Sequence, residues 1–319
     1  MMRRLPFVAL IAAFLSAASP FSGCSRVTGL PAVPDALSRA DAGLHGLDEA
    51  AEKARVALDG VKIGDPASRL EAMGRLVEAH PDNLVLGNAF RMEVYRQKRQ
   101  FLAAARARGE RSPALPDVLA AEPFATLTRI AAQSPATEPL VQIGLAHVDQ
   151  MVLDPALEVR APASIDSVRT FTSVLADHPH DVPALVGRGL NHLNRPRKLV
   201  WPERPAPPAD AASRDLALAA AVGAKVGGAS ARVKGILLLL LGDAYAHEGK
   251  AGLARSWWTA AAATTDDRGV KAELALRARW PEAEFPDRLE ARLEERMADM
   301  DAPVSDLSFL WNDDARGPW

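Results

Sequence analysis

Apolar residues recur at three- and four-residue steps along most of the chain, which is the spacing of one face of an α-helix. The clearest segment, Pro66 to Ala79, places Leu70, Met73 and Val77 on one side. The same pattern predicts helices over 34–58, 84–101, 116–133, 138–152, 164–177, 183–193, 211–226, 269–279 and 286–301, with a helical hairpin over 238–266. It therefore predicts an all-α fold.

Proline-containing turns separate the predicted helix pairs. Pro81, Pro135 and Pro179 each stand directly after an apolar helical pattern. Proline lacks the N–H that a continuing helix needs, and the residue before it avoids the α region. The three prolines lie 54 and 44 residues apart, so the sequence predicts stacked antiparallel hairpins of unequal length.

One stretch carries large and small residues at a fixed spacing: Leu238, Leu241, Gly242, Tyr245, Ala254, Trp258 and Ala261. Gly242 and Ala254 remove bulk, so two antiparallel helices can approach closely, whereas Gly227 falls in a predicted turn. The spacing resembles one tetratricopeptide (TPR) repeat, whose signature is Trp-x2-Leu-Gly-x2-Tyr, then Ala-x3-Phe, then Pro. The alternative is any αα-hairpin with small residues at its crossing.

The resemblance implies a TPR-like solenoid of about five stacked antiparallel helical hairpins, with a concave groove for peptides. The chain departs from the family pattern in three ways. Leu238 replaces the usual Trp, Trp258 replaces the Phe, and Asp266 stands where the closing Pro is usual. A strict array would also repeat at about 34 residues, so some hairpins are expected to be degenerate.

Composition supports helices and argues against one class of partner. The chain has 319 residues, 48% hydrophobic and 24% charged, and only 5% are aromatic. Abundant alanine with few aromatics favours packed helices over a sheet. The formal net charge of −2 excludes a dedicated nucleic-acid binder from the expected functions.

The N-terminus has the features of a targeting segment. Arg3 and Arg4 precede an apolar run from Leu5 to Ala18. This run is shorter than the roughly 20 residues that a spanning helix needs, which indicates a signal peptide. It ends in Phe21-Ser22-Gly23-Cys24, and Cys24 is the only cysteine in the chain. An ordinary signal cut near Ala18 would leave Cys24 as a lone exposed thiol.

This small-small-Cys ending resembles the lipobox of bacterial lipoproteins, although Phe21 replaces the usual Leu. The resemblance implies cleavage before Cys24 and acylation of its thiol and new amine. The predicted organisation is a signal peptide over 1–23, a lipidated Cys and tether over 24–34, a TPR-like domain over 35–301 and an irregular C-terminal tail over 302–319. In some enteric bacteria an Asp after the Cys retains such lipoproteins at the inner membrane, and here that residue is Ser25. In a cell with two membranes, the resemblance therefore implies the periplasmic face of the outer membrane.

No catalytic motif is apparent, so the protein is expected not to be an enzyme. Gly-x-Ser-x-Gly, His-Glu-x-x-His and a Gly-rich phosphate loop are all missing from the sequence. A metal site could be drawn on paper from Asp177, His178, His180, Asp181 and His192. These residues flank a proline turn, where polar side chains commonly face water. We therefore expect neither a metal nor a cofactor.

Two surfaces are candidates for contact with a partner. The first is a basic run, which could equally be an ordinary solvated helix face. Its residues are Arg91, Arg96, Lys98, Arg99, Arg106, Arg108 and Arg111. The second is Trp201, in the proline-rich stretch 195–210, which could equally pin that loop to a groove.

Five further polar residues fall within helices that otherwise carry core residues: Asn88, Arg91, Arg188, Asn191 and Asp243. Because inward burial would be costly for them, we expect these side chains to face a partner-binding groove or bulk water.

These observations predict a membrane-anchored, non-enzymatic lipoprotein scaffold. It would bind a protein or peptide partner of the cell envelope through its groove, and such lipoproteins often assist the assembly of envelope complexes. One alternative is a small-molecule-binding component of a transport system, which a pocket with convergent polar groups would favour. Another is an envelope enzyme, which a clustered Glu/Asp/His site would favour.

Overall fold

A computed structural model describes residues 29–44, 56–61, 65–110, 113–154, 156–195, 208–226, 229–312 and 315–318. Within these ranges every regular element is helical and no strand occurs, which confirms the all-α prediction. The helices are α1 (Pro66–Ala79), α2 (Leu84–Ala107), α3 (Asp117–Ala121), α4 (Phe124–Ala131), α5 (Glu138–Leu153), α6 (Leu157–Asp177), α7 (Val182–Leu193), α8 (Ala211–Lys225), α9 (Ala231–His247), α10 (Ala251–Thr264), α11 (Arg268–Ala278) and α12 (Phe285–Ala298).

Side-chain caps explain why several helices begin where they do. Asp65 accepts hydrogen bonds from the backbone N–H groups of Ala67 and Ser68 at the start of α1. Asn83 caps α2 in the same way, and Asp181 accepts from Ala184 N at the start of α7. Each cap satisfies N–H groups that have no partner inside the helix.

Consecutive helices pack as neighbours, most extensively α5 with α6, α7 with α8, and α9 with α10. A second set of contacts links helices that are distant in sequence. Helix α2 contacts α5, α5 contacts α7, and α7 contacts α9. These four helices therefore form a row, and polar side chains on them can meet across helix boundaries.

Glycines allow the closest approaches between helices. A Cβ atom on Gly242 would lie 2.6 Å from Trp258 Nε1, which confirms the predicted contact between α9 and α10 at this position. Phe171 is accommodated in the same way, because Cβ atoms on Gly144 and Gly187 would lie 2.7 Å and 2.8 Å from its ring. Small residues thus determine where the aromatic rings of the core can sit.

The predicted helix over 34–58 is wrong for its first part. Residues 45–55 lie outside the described part of the chain, and residues 56–61 are helical. Residues 35–44 form turns, not a helix. This segment packs on the domain: Ala42 and Leu44 are buried, and Val182 N donates to Ala42 O at 2.9 Å. Gly43 has φ +66°, a left-handed conformation that a continuous α-helix does not contain.

Two other boundaries differ from prediction. The single helix expected over 116–133 is broken between α3 and α4, where the Glu122–Pro123 peptide is cis. Helix α6 begins at Leu157, earlier than expected, and includes Pro162 near its start. Pro162 is the sixth residue of this helix, so it lies in the second turn and removes an N–H that would otherwise donate to the Glu158 backbone oxygen.

Several predicted features lie outside the described residues. These are the signal peptide, Cys24, Gly227 and the loop containing Trp201. Among the helices that the structure does describe, none has both the length and the apolar composition needed to cross a bilayer.

The C-terminal segment, described over residues 299–312 and 315–318, packs back on the domain. Leu307, Phe309 and Leu310 are buried in the main hydrophobic core, and Val304 joins a second cluster with residues of α2, α5 and α6. Arg232 on α9 donates to the backbone oxygens of Asn312 and Ala315. The segment is therefore an integral part of the fold.

The Gly242 contact can be tested with one substitution at two glycines. Gly242→Ala should lower the free energy of unfolding by about 1–3 kcal/mol, because the new methyl group overlaps the Trp258 ring. Gly252→Ala on α10 is the matched control, since a Cβ there has nothing within 4 Å. The control should be neutral or slightly stabilising, because alanine favours helix. Urea denaturation measures both, and equal stability of the two variants would contradict the packing described.

Candidate functional site

The five polar residues predicted to face a groove or water are mostly inside the protein. Arg91 is fully buried, and Asn88, Asn191 and Asp243 are only 4%, 6% and 2% exposed. Arg188 alone is partly accessible, with 21% of its side chain exposed. The expectation that these side chains face a groove or bulk water is therefore wrong for Asn88, Arg91 and Asp243.

Arg91 is buried because its guanidinium is paired on every side. Its Nε donates to Gln142 Oε1 at 2.7 Å and its Nη1 to Asp149 Oδ2 at 2.6 Å. Its Nη2 donates to Asn88 Oδ1 at 2.9 Å and to the Ser305 backbone oxygen at 2.8 Å. We call these five residues the Arg91 cluster. A buried charge is tolerated when it is paired and hydrogen-bonded in this way.

The cluster also holds the C-terminal segment in place. Asn88 Nδ2 donates to Asp306 Oδ1 at 3.0 Å, and Tyr95 Oη donates to the Met300 backbone oxygen at 3.0 Å. The Ser305 hydroxyl donates to Asp149. Two of the predicted binding residues, Asn88 and Arg91, thus contact a non-helical segment, but it belongs to the chain itself.

Asp243 belongs to a second buried ion cluster. Arg277 donates to its two carboxylate oxygens at 2.6 Å and 2.7 Å, and Trp258 Nε1 donates to it at 2.9 Å. Burial raises the pKa of Asp243, and the Arg277 guanidinium opposes that rise. Burial alone would lower the pKa of Arg277, but Asp243 and Glu273 hold it above its ordinary range. Asp243 therefore joins α9 to α10 and α11.

Arg188 and Asn191 also have partners within the protein. Arg188 makes a two-pronged ion pair with Asp215 on α8, with both N···O distances at 2.7 Å. Asn191 Oδ1 accepts from the Ser164 hydroxyl on α6 at 2.8 Å. Unlike the other four, Asn191 also lines a cavity.

This cavity, the α6–α7–α12 cavity, has a volume of about 410 Å³. Its walls combine apolar with amide and charged side chains: Met151, Leu157, Arg160, Ser164, Asn191, Leu193, Asn194, Arg195, Glu290, Leu293, Glu294, Met297 and Ala298. Leu157 is 56% exposed, so this wall is accessible from solvent.

One polar atom in the cavity wall lacks a partner. Asn194 Nδ2 donates to the Leu190 backbone oxygen at 2.8 Å. Its Oδ1 is buried, and no hydrogen-bond donor reaches it among the described residues. A buried acceptor without a partner is costly, so a side-chain rearrangement that let a ligand N–H reach this oxygen would be favoured.

Two other cavities lie around α1 and α2, with volumes of about 420 Å³ and 460 Å³. In the first, the charged lining residues pair with one another, as in Arg69 with Glu93 and Arg99 with Asp301. In the second, Arg75 pairs with Glu71. Such paired charges leave less for a ligand to satisfy, so the α6–α7–α12 cavity is the stronger candidate site.

The basic run does not form a continuous surface. Arg91 and Lys98 are buried, which contradicts their place on a contact face. Burial lowers the pKa of Lys98. Arg106 and Arg108 are exposed, while Arg111 lies outside the described residues.

Of the residues considered for a metal site, Asp181 has a different role in the fold. Asp181 caps α7 and accepts a hydrogen bond from the Thr137 hydroxyl. Burial lowers the pKa of His192 to about 4. In the part of the chain that the structure describes, no group of three or more His, Cys, Asp or Glu residues is arranged to hold a metal ion.

Sequence reasoning missed most of the cavity. Arg160, Ser164 and Asn194 carry no local signal, because an isolated polar residue on a helix is ordinary. Ser164 and Asn191 meet across α6 and α7 although 27 residues separate them. Their proximity depends on helix packing, which spacing along one helix does not reveal.

The Arg91 cluster can be tested by removing its cation. Arg91→Leu should lower the free energy of unfolding by about 3–5 kcal/mol, because Asp149 is then left as an unpaired buried charge. Arg106→Leu on the exposed part of the same helix is the control and should have little effect. Arg91→Leu combined with Asp149→Leu should lower the free energy of unfolding by less than Arg91→Leu alone. If the double variant is the less stable, the ion pair is not what holds this site together.

No protein-family model matches the chain, and neither does any curated protein or solved structure. Function must therefore be inferred from the contacts and cavities of this chain alone.

Proposed function

We propose that the protein is a non-enzymatic lipoprotein scaffold, anchored in a membrane through lipid on Cys24, that binds a protein or peptide partner. Its location would be the periplasmic face of the outer membrane, where it assists assembly of a larger envelope complex. The lipobox-like end of the N-terminal segment supports the anchor. Helices packed as neighbours along the chain support a TPR-like scaffold.

The way in which the helices hold the chain's own C-terminal segment supports a peptide as the kind of partner that they bind. Tyr95 and Arg91 donate to backbone oxygens of Met300 and Ser305. Hydrogen bonds from helix side chains to a peptide backbone can hold a non-helical segment of varied sequence. This part of the helix row is occupied by the protein's own residues, so a partner must bind elsewhere.

The α6–α7–α12 cavity is the observation that carries the proposal. Its apolar side chains, such as Leu157, Leu193 and Leu293, suit the side chain of a partner residue. The unpaired Asn194 Oδ1 suits a peptide N–H. An apolar anchor beside a few fixed polar groups is the usual composition of a specific binding site.

The same cavity favours one second candidate, a small-molecule-binding component of a transport system. Its volume of about 410 Å³ lies within the range of about 300–1,000 Å³ for small-ligand pockets. The two candidates differ in a simple measurement. A small ligand would raise the melting temperature of the purified protein, whereas a scaffold would need the partner protein to do so.

The anchor is tested by labelling. Wild-type protein should incorporate labelled fatty acid and fractionate with membranes, while Cys24→Ser should do neither. Acyl burial contributes about 0.8 kcal/mol per CH₂, so several chains hold a protein without a spanning helix. A wild-type protein that takes up no label would rule out the lipoprotein proposal.

The partner site is tested by crosslinking and by charge. A photoreactive residue at position 157 should capture one dominant envelope protein, and the same residue at position 276 on α11 should not. A photoreactive residue at position 294, which is exposed and lines the same cavity, should capture the same protein. Leu157→Arg should abolish the capture from position 294 without lowering the melting temperature. Leu276→Arg is the control, since both leucines are exposed. Capture that survives Leu157→Arg would move the partner away from this cavity.

A further inference from the structure

The outer face of α10 differs from the other solvated helices. From Ala251 to Thr264 the helix has no acidic residue and only one cation, Arg255. Helix α12, also 14 residues long, carries four acidic residues and three arginines. The most exposed residues of α10 are all uncharged, and the partly exposed Arg255 is paired with Glu282. These uncharged residues are Gly252, Leu253, Ser256, Thr259, Ala262 and Ala263. We call these six residues the α10 face.

The N-terminal end of the described chain is held beside the same helix. A Cβ on Gly29 would lie 3.5 Å from Trp257 Cζ2 on α10, and Leu30 packs against the main core. Lys225 Nζ donates to the Val33 backbone oxygen at 2.7 Å and to Asp35 Oδ1 at 2.6 Å. These contacts fix residues 29–35 on the domain, although the sequence predicted a tether up to residue 34.

The length of chain between the predicted anchor and this fixed point is short. Five residue steps separate Cys24 from Gly29. Even fully extended, five steps span only about 18 Å. A lipid on Cys24 would therefore hold Gly29 and α10 close to the bilayer surface. Helix α3 would lie further away, because α9, α7, α5 and α2 come between it and α10 in the series of contacts.

We propose that the α10 face is the surface on which the acylated protein lies against the headgroup layer of a phospholipid bilayer. This inference rests on the proposed lipidation of Cys24. Bacterial headgroup layers are commonly anionic, and a carboxylate on this face would be repelled by them. The α10 face carries none, and the Glu282 carboxylate beside it is neutralised by its ion pair with Arg255, whereas α12 would present several. Because the α10 face has a single large apolar side chain, Leu253, it rests on the bilayer surface. The lipid on Cys24 is what retains the protein at the membrane.

The orientation is measured by energy transfer to a labelled lipid. The full acylated chain is purified from membranes, reconstituted in vesicles of phosphatidylethanolamine and phosphatidylglycerol, and labelled at an introduced cysteine. Cys24 is the only native cysteine, so its acylation leaves the introduced thiol as the one reactive site. Leu253→Cys and Val118→Cys are matched, because both side chains are exposed.

Transfer to a headgroup acceptor should be about twofold or more stronger from position 253, since successive packed helices lie about 8–10 Å apart. Equal transfer from the two positions, with the protein bound to vesicles, would overturn the proposed orientation but not the lipoprotein proposal. Protein that carries no acyl group and does not float with vesicles would instead end the lipoprotein proposal, and this inference with it.

A charge placed on the α10 face separates contact from mere proximity. Ser256→Glu in the Leu253→Cys background should weaken transfer on anionic vesicles, because the new carboxylate faces anionic headgroups. Ala291→Glu on the exposed side of α12 is the control and should leave transfer unchanged. If Ser256→Glu also leaves it unchanged, the α10 face does not touch the bilayer, and the proposed contact is wrong.

Discussion

The buried charge of Arg91 is the constraint on which the N-terminal half of the structure depends. A guanidinium without solvent must find all its acceptors inside the protein. Here they come from Asn88 on α2, Gln142 and Asp149 on α5, and Ser305 in the C-terminal segment. One side chain therefore makes the placement of two helices and a distant segment mutually dependent. Apolar packing alone would tolerate more than one register.

The Asp243–Arg277 pair plays a comparable part at the other end of the helix row. It joins α9 to α11, and Trp258 on α10 donates to the same carboxylate. The Trp258 ring sits there only because Gly242 has no side chain. Close packing and charge pairing thus act at one place. The repeat-like spacing of the sequence reflects this joint requirement.

The local part of the fold was predictable and the long-range part was not. The predicted bounds of α1 agree with the structure because the apolar stripe, the Asp65 cap and Pro66 at its start are all local signals. The segment 35–44 was wrong because Leu37 and Leu44 recur at helical spacing yet pack separately on the core. No neighbour in sequence indicates that packing.

The candidate site shows the same limit. Asn88, Arg91, Tyr95 and Lys98 lie on one stripe of α2, and a polar stripe ordinarily faces water. Its acceptors on α5 are 51 and 58 residues away from Arg91. These acceptors meet Arg91 only in the folded protein, and that meeting explains why the polar stripe of α2 is buried and does not face water. Both the buried cluster and the cavity at Asn191 are therefore properties of the packing, and not of any single helix.

The distribution of paired and unpaired groups limits where a partner can bind. Most polar residues on the helix row are committed to the fold, since Arg91, Arg188 and Asp243 all have strong partners inside the chain. Binding energy for a partner must come from groups that the fold does not use. Asn194 Oδ1 and the exposed Leu157 are such groups in the α6–α7–α12 cavity. The uncharged α10 face is a separate surface that serves no evident packing purpose. A scaffold that meets a membrane on one surface and a protein on another would need this division.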